Sequence, residues 1–154
     1  MGKPRNHKPE TPSLRESYRL RGVIYRKLKQ ERLFPKRSRF LYADPIWKLT
    51  LEYLTSIIEA NDPKVQTIEL RNRRYTLQQI ALGKLSALDV LINSARDDMN
   101  LPPDEFDEIE DRIDTCMKYI HSWVKSDEYK YGAPTELETL NRLAEMALQE
   151  QSPY

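Results

Sequence analysis

The sequence predicts an all-α protein: an antiparallel up-and-down four-helix bundle, with a disordered basic N-terminal tail and an extra C-terminal amphipathic helix. Three observations carry this expectation. The 154 residues hold four glycines against ten prolines, whereas a nucleotide-binding α/β fold needs glycine for phosphate loops and tight turns. No stretch alternates apolar and polar residues between turn signals, so no strand is assigned. Four stretches instead repeat apolar residues at spacings of three and four, with proline-bearing breaks between them, and such stretches fold as helices packed on helices.

Residues 1–12 contain three prolines and no apolar cluster, and are expected to form a flexible basic tail. Ser13, with Glu16 three residues on, suits a capping box. A first helix is expected from about Leu14 to Arg32, with Leu14, Tyr18, Ile24, Tyr25 and Leu28 on one side and Arg15, Arg19 and Arg26 on an adjacent side, Lys29 at its edge. A basic connection, Leu33 to Arg39, follows. Asp44-Pro45 suits the start of a second helix, or a kink in a longer one starting near Pro35. Trp47, Leu51, Leu54, Ile57, Ile58 and Asn61 then keep helical spacing until Asn61-Asp62-Pro63 stops it.

A third helix begins between Val65 and Thr76 and carries Leu77, Ile80, Ala81, Leu85, Leu88, Leu91, Ile92 and Ala95. Asn100-Leu101-Pro102-Pro103-Asp104 is a turn. The fourth helix carries Phe106, Ile109, Ile113, Cys116, Met117, Ile120, Trp123 and Val124, and Lys130-Tyr131-Gly132-Ala133-Pro134 breaks it. Leu137, Leu140, Ala144, Ala147 and Leu148 mark the extra helix, whose narrow apolar stripe suits a partner contact. The expected organisation is therefore a tail over 1–12, a bundle over 13–126, and a linker with an amphipathic helix over 127–154.

Charge is distributed unevenly. Residues 1–75 sum to +10 and residues 76–154 to −9, although the whole chain is only +1. Phosphate binding depends on the local field, screened beyond about 8–10 Å in physiological salt, so the small total does not argue against nucleic acid. Two readings account for the asymmetry: a basic surface for a polyanion, or acidic and basic helices that pair within the bundle.

Few residues point to catalytic or metal chemistry. One cysteine excludes an internal disulfide framework, and two histidines are too few for a standard zinc site. No cofactor is expected. There is no phosphate loop, dinucleotide fingerprint or hydrolase elbow. The acidic run Asp104, Glu105, Asp107, Glu108, Glu110, Asp111 and Asp114 reads as a solvated helix face that complements the helix dipole. Cys116 reads as core filler and His121 as a boundary residue. No apolar run reaches about 18 residues, so no membrane span is expected. The N-terminus lacks the apolar core of a secretory signal, and the expected location is cytoplasmic.

Three basic clusters remain: the stripe Arg15, Arg19 and Arg26; the connection residues Lys36, Arg37 and Arg39, interleaved with Phe34, Phe40 and Tyr42; and Arg71, Arg73 and Arg74 beside Tyr75. Arginine predominates in them, which suits bidentate phosphate contacts and stacking on bases. The candidate RNA- or polymerase-binding residues are Arg15, Arg19, Arg26, Lys36, Arg37, Arg39, Arg73 and Arg74, with Phe40 and Tyr75 as candidate stacking groups that could equally belong to the core. The alternative is three unrelated solvated patches.

Some of these residues resemble a known family. Phe34-Pro35-Lys36-x-x-Arg39-Phe40, followed by an apolar helix ending Ile57-Ile58-x-Ala60-Asn61, resembles the second helix of the four-helix-bundle proteins that include the 23S rRNA intervening-sequence proteins. It is more specifically similar to the accessory variability determinants of diversity-generating retroelements. Arg74-Tyr75-x-Leu77-x-x-Ile80-Ala81 through Leu91-Ile92-x-x-Ala95-Arg96 resembles their third helix. Ile120-x-x-Trp123-Val124-Lys125-Ser126 resembles the end of their fourth, with Ser122 where glycine is usual. The likeness covers about residues 18–126. It implies a bacterial or phage homopentamer of four-helix bundles, without catalytic residues, that binds a reverse transcriptase and its structured template RNA and supports mutagenic cDNA synthesis. The alternative it leaves is a homo-oligomeric interaction protein of the intervening-sequence type without a polymerase partner.

Overall fold

Four long helices and two short 3-10 turns make up the computed structural model, which describes residues 11–62, 65–133, 145–146 and 148–149. The helices are α1 (Pro12–Leu28), α2 (Ala43–Ala60), α3 (Ile68–Asp98) and α4 (Asp107–Tyr131), with 3-10 turns at Lys36–Ser38 and Pro103–Phe106. The described residues contain no strand. Apart from Thr11 and Pro12, the expected tail lies outside the described residues. So does most of the extra C-terminal helix, although Glu145, Met146, Leu148 and Gln149 are helical.

Helix α1 starts earlier than the capping-box reading expects. Thr11 is the N-cap: its side chain accepts from Leu14 N at 3.2 Å. Pro12 occupies the first helical position, where its fixed φ fits and its missing N–H is not needed. Ser13 is therefore inside the helix and buried, and Glu16 turns inward to an ion pair instead of back to a cap. The helix also ends at Leu28, short of the expected Arg32. Leu33 and Phe34 are buried and Phe34 meets the edge of Phe106 with ring centroids 6.2 Å apart, so the chain must turn inward there. Pro35 disfavours helix at Phe34 in any case.

Helix α2 starts at Ala43, which places Pro45 in its first turn and excludes one long helix from Pro35. Helix α3 starts at Ile68 with Thr67 as N-cap, its side chain accepting from Leu70 N at 3.2 Å. Its far end closes through Asn100, whose φ of 50° lies in the left-handed region. Leu101 N donates to Arg96 O at 2.9 Å and Asn100 N to Asp97 O at 3.3 Å, the paired bonds of a Schellman ending. Helix α4 continues past Ser126 to Tyr131 and stops at Gly132, with φ of 85°.

Helix α1 packs against α2 and α4, and α3 packs against the same two. The core between them comprises Leu20, Val23 and Ile24 of α1, Ile46, Tyr53 and Ile57 of α2, Leu85, Leu88 and Ile92 of α3, and Ile109, Ile113, Cys116 and Ile120 of α4. Several expected core residues lie outside it: Tyr18, Tyr25, Leu51, Ile58 and Ile80 are exposed. A wide apolar arc has two flanks, and packing between the helices selects one of them.

Polar contacts tie the helix ends together. At one pole Thr11 N donates to Asn61 Oδ1 at 3.4 Å, which joins the start of α1 to the end of α2. Arg71, near the start of α3, donates to the carbonyls of Tyr131 and Ala133 and so satisfies the end of α4. At the other pole Lys27 reaches Glu105 at 2.9 Å, joining the end of α1 to the approach to α4. There Tyr42 OH donates to Asp98, joining the start of α2 to the end of α3.

The core carries one polar chain. Ser17 Oγ donates to Ser13 O at 2.6 Å and lies 2.6 Å from Tyr53 OH. The serine proton is used on the carbonyl, so Tyr53 is the donor to Ser17. Burial pushes the Tyr53 phenol far above its usual range, and the Cys116 thiol beside it up to about 11. Cys116 is therefore a protonated thiol at neutral pH and acts as core, as its helical position suggests.

Candidate nucleic-acid interface

Helical spacing places Arg15, Arg19 and Arg26 on one exposed stripe of α1. Arg19 is partly engaged: its Nη1 lies 2.7 Å from Glu16 Oε1, while over half of its side chain remains exposed. Glu16 is buried and also faces Arg112 of α4 at 3.4 Å. Lys36 and Arg37 stand exposed on the 3-10 turn after α1, and Arg39 is half-buried beyond them. The connection begins where α1 ends, so its cations follow that stripe along the chain.

The third cluster sits elsewhere. Arg73 and Arg74 lie in the first two turns of α3, at the pole opposite the connection. The length of α2, about 27 Å at 1.5 Å per residue, separates the two poles. The cluster itself is also split. Arg73 is exposed. Arg74 is not: its Nη1 lies 3.2 and 3.4 Å from the carboxylate oxygens of Asp127, and its Nη2 donates to Asp62 O at 2.9 Å. Its guanidinium carbon also stands 5.5 Å from the Trp123 ring centroid. Arg74 is thus part of the α3–α4 packing. Tyr75 is half-buried, whereas Phe40 is 68% exposed and free to stack.

The pairing reading of the charge asymmetry holds for part of the charge. Glu105 takes Lys27 and Arg32, Glu110 takes Arg96 and Asp127 takes Arg74, so acidic α4 and the turn before it do pair with α1 and α3. Arg32 and Lys27 hold the Glu105 carboxyl down at about 2. Asp104, Asp107, Glu108, Asp111 and Asp114 remain an exposed acidic face. On the basic side, Arg15, Arg26, Lys36, Arg37, Arg39 and Arg73 make no ion pair among the described residues.

Sequence reasoning missed a second feature of this surface. Arg21 and Tyr25 of α1 and Lys29 at its C-cap stand at i, i+4 and i+8, and Trp47 of α2 faces them. The Tyr25 and Trp47 rings are 5.7 Å apart and tilted by 51°. Arg21 sits 5.4 Å from the Trp47 centroid and 5.8 Å from that of Tyr25, and Lys29 Nζ is 5.0 Å from Tyr25. The four-residue spacing of a basic, an aromatic and a basic residue was visible, but the partner ring is on another helix.

Among the described residues no group of His, Cys, Asp and Glu side chains gathers in an arrangement that could hold a metal ion. No helix among them is long and apolar enough to cross a membrane. The fold and this surface define a helical-bundle protein with a cationic, aromatic-bearing flank. Comparison of the chain with family models, with curated proteins and with solved structures found no match.

Proposed function

We propose that this protein is a non-catalytic RNA-binding subunit, an up-and-down antiparallel bundle that holds structured RNA for a reverse transcriptase partner. The observation that carries the RNA reading is the run of unpaired cations along α1 and the connection after it: Arg15, Arg26, Lys36, Arg37 and Arg39 have no carboxylate partner among the described residues. Unpaired, solvent-facing cations along α1 and the connection make the field that phosphates seek. The helix-end contacts support the up-and-down arrangement. The polymerase, the retroelement setting and a homopentameric state rest on the resemblance of residues 18–126, and a cytoplasmic location goes with them. The extra C-terminal helix would then serve as a partner contact.

Salt dependence tests the reading. Each phosphate neutralised on a single strand contributes about 0.7 to the slope of log affinity against log salt. Replacing Lys36, Arg37 and Arg39 together by Ala should lower affinity for a structured RNA and reduce that slope by about 2. An unchanged slope in a variant of intact helicity would remove the connection from the interface.

A second reading has its own observation. Ile80, Gly83, Ala87 and Val90 line an exposed stripe of α3 at spacings of three, four and three, with Val90 63% exposed. That stripe favours self-association of the intervening-sequence type. A native mass of several times the 18.2 kDa protomer with no bound RNA would favour it over the first.

A further inference from the structure

We propose that the recess between the end of α1 and the start of α2 is a site for one unpaired nucleotide, with Tyr25 and Trp47 taking the base and Lys29 and Arg39 its phosphates. This inference rests on the RNA reading above and names the form of RNA recognised. The recess has a volume of 210 Å³ and is lined by Tyr25 and Lys29 from the end of α1 and by Arg39, Asp44 and Trp47 from α2 and the chain before it. That is room for a flat ring and too little for a folded peptide.

The aromatic pair is not enclosed, although Trp47 packs against the core. Tyr25 is 42% exposed, and neither ring belongs to the fully enclosed set. Arg21 already lies against both rings and Lys29 against Tyr25, and both rings line the recess. Aromatic faces with flanking cations are how proteins hold single-stranded bases, since every base has a π-face and every link a phosphate. Arg21, Lys29 and Arg39 make no ion pair among the described residues, and Asp44 is the one carboxylate lining the recess, so its local charge is positive. A base inside a duplex could not reach between these side chains. The site therefore discriminates unpaired from paired RNA, and the exposed Arg26, Lys36 and Arg37 of α1 and the connection track the neighbouring backbone.

The test uses the full-length chain with a labelled eight-nucleotide RNA, as a single strand and as a blunt duplex, at several salt concentrations. The single strand should bind more tightly and quench tryptophan fluorescence, and the quench should be lost in Trp47→Phe. Tyr25→Ala, a surface change that leaves the core intact, should weaken single-strand binding roughly tenfold with the salt slope unchanged, because a stacking ring carries no charge. Lys29→Ala with Arg39→Ala should instead reduce the slope. If RNA binds but neither Tyr25→Ala nor Trp47→Phe alters affinity or quench, this site is overturned and the RNA reading stands. If no RNA, structured or short, binds the wild type at low salt, the RNA reading fails and the site with it. An acidic peptide of equal charge that matched the RNA in affinity and quench would overturn the proposal in favour of a protein partner.

Discussion

Replacing Arg74 by Met separates a structural arginine from an RNA-binding one. The Arg74 side chain is 12% exposed and that of Asp127 15%. Between them run two bonds, and a third goes from Arg74 to the Asp62 carbonyl. Gln78, itself buried, donates to the same carboxylate at 3.2 Å. Methionine preserves the apolar stem against Trp123 and removes the charge, which strands Asp127 with one donor. Breaking a fully buried pair costs about 3–5 kcal/mol. Here some water contact and the Gln78 bond remain, so a loss of about 2–3 kcal/mol is expected. For a domain of this size that lowers Tm by roughly 4–12 °C. Asp127→Asn on top of Arg74→Met should recover part of the loss, since it removes the stranded charge, and a double-mutant cycle should give a coupling of about 1 kcal/mol or more. Urea unfolding followed by circular dichroism measures all four proteins. A Met variant within about 0.5 kcal/mol of wild type that has lost RNA affinity would refute this argument and return Arg74 to the interface.

Two further predictions concern stability. Glu105 has its folded pKa depressed to about 2 by Arg32 and Lys27, so its contribution is fully present above the unfolded value of about 4.3 and is lost as pH falls through about 2. Glu105→Gln should lower Tm at neutral pH, and the gap to wild type should narrow as pH drops below about 4; a gap constant over that range would show that the pairs contribute nothing. Asn100 adopts positive φ to close α3. Asn100→Gly should leave urea stability within a few tenths of a kcal/mol, whereas Asn100→Val should cost about 1–2 kcal/mol, and equal stability of the two variants would contradict a left-handed helix ending.

Where reasoning from sequence succeeded, the signals were local. Asn61-Asp62-Pro63 ends α2 because the residue before a proline avoids the helical region, and Gly132 ends α4 because its φ suits glycine. Cys116 was legible as core from its place between Ile113 and Ile120. Reasoning failed where two flanks of one apolar arc compete. Tyr18 and Tyr25 were expected inside, yet Leu20 and Val23 are inside and the tyrosines face out. In α2 the same exchange puts Ile46 and Tyr53 in the core and Leu51 and Ile58 outside. The capping box at Ser13 failed because a proline one residue earlier moved the helix start to Thr11.

The amino-acid sequence by itself determined that the described residues are helical, where α2 and α4 end, and that the first half of the chain is basic and its second acidic. These follow from periodicity, proline geometry and a count of charges, none of which needs a third dimension. Only the tertiary structure decided which cations remain available. Arg73 and Arg74 are neighbours in the chain, but successive helix positions point about 100° apart, so one faces solvent and the other meets Asp127, 53 residues away. Ion pairing requires approach to a few ångströms, and Tyr25 meets Trp47 only because α1 packs on α2. The pattern of residues set the charges and rings out along the helices, and the packing of the helices chose which of them face one another and which face outward.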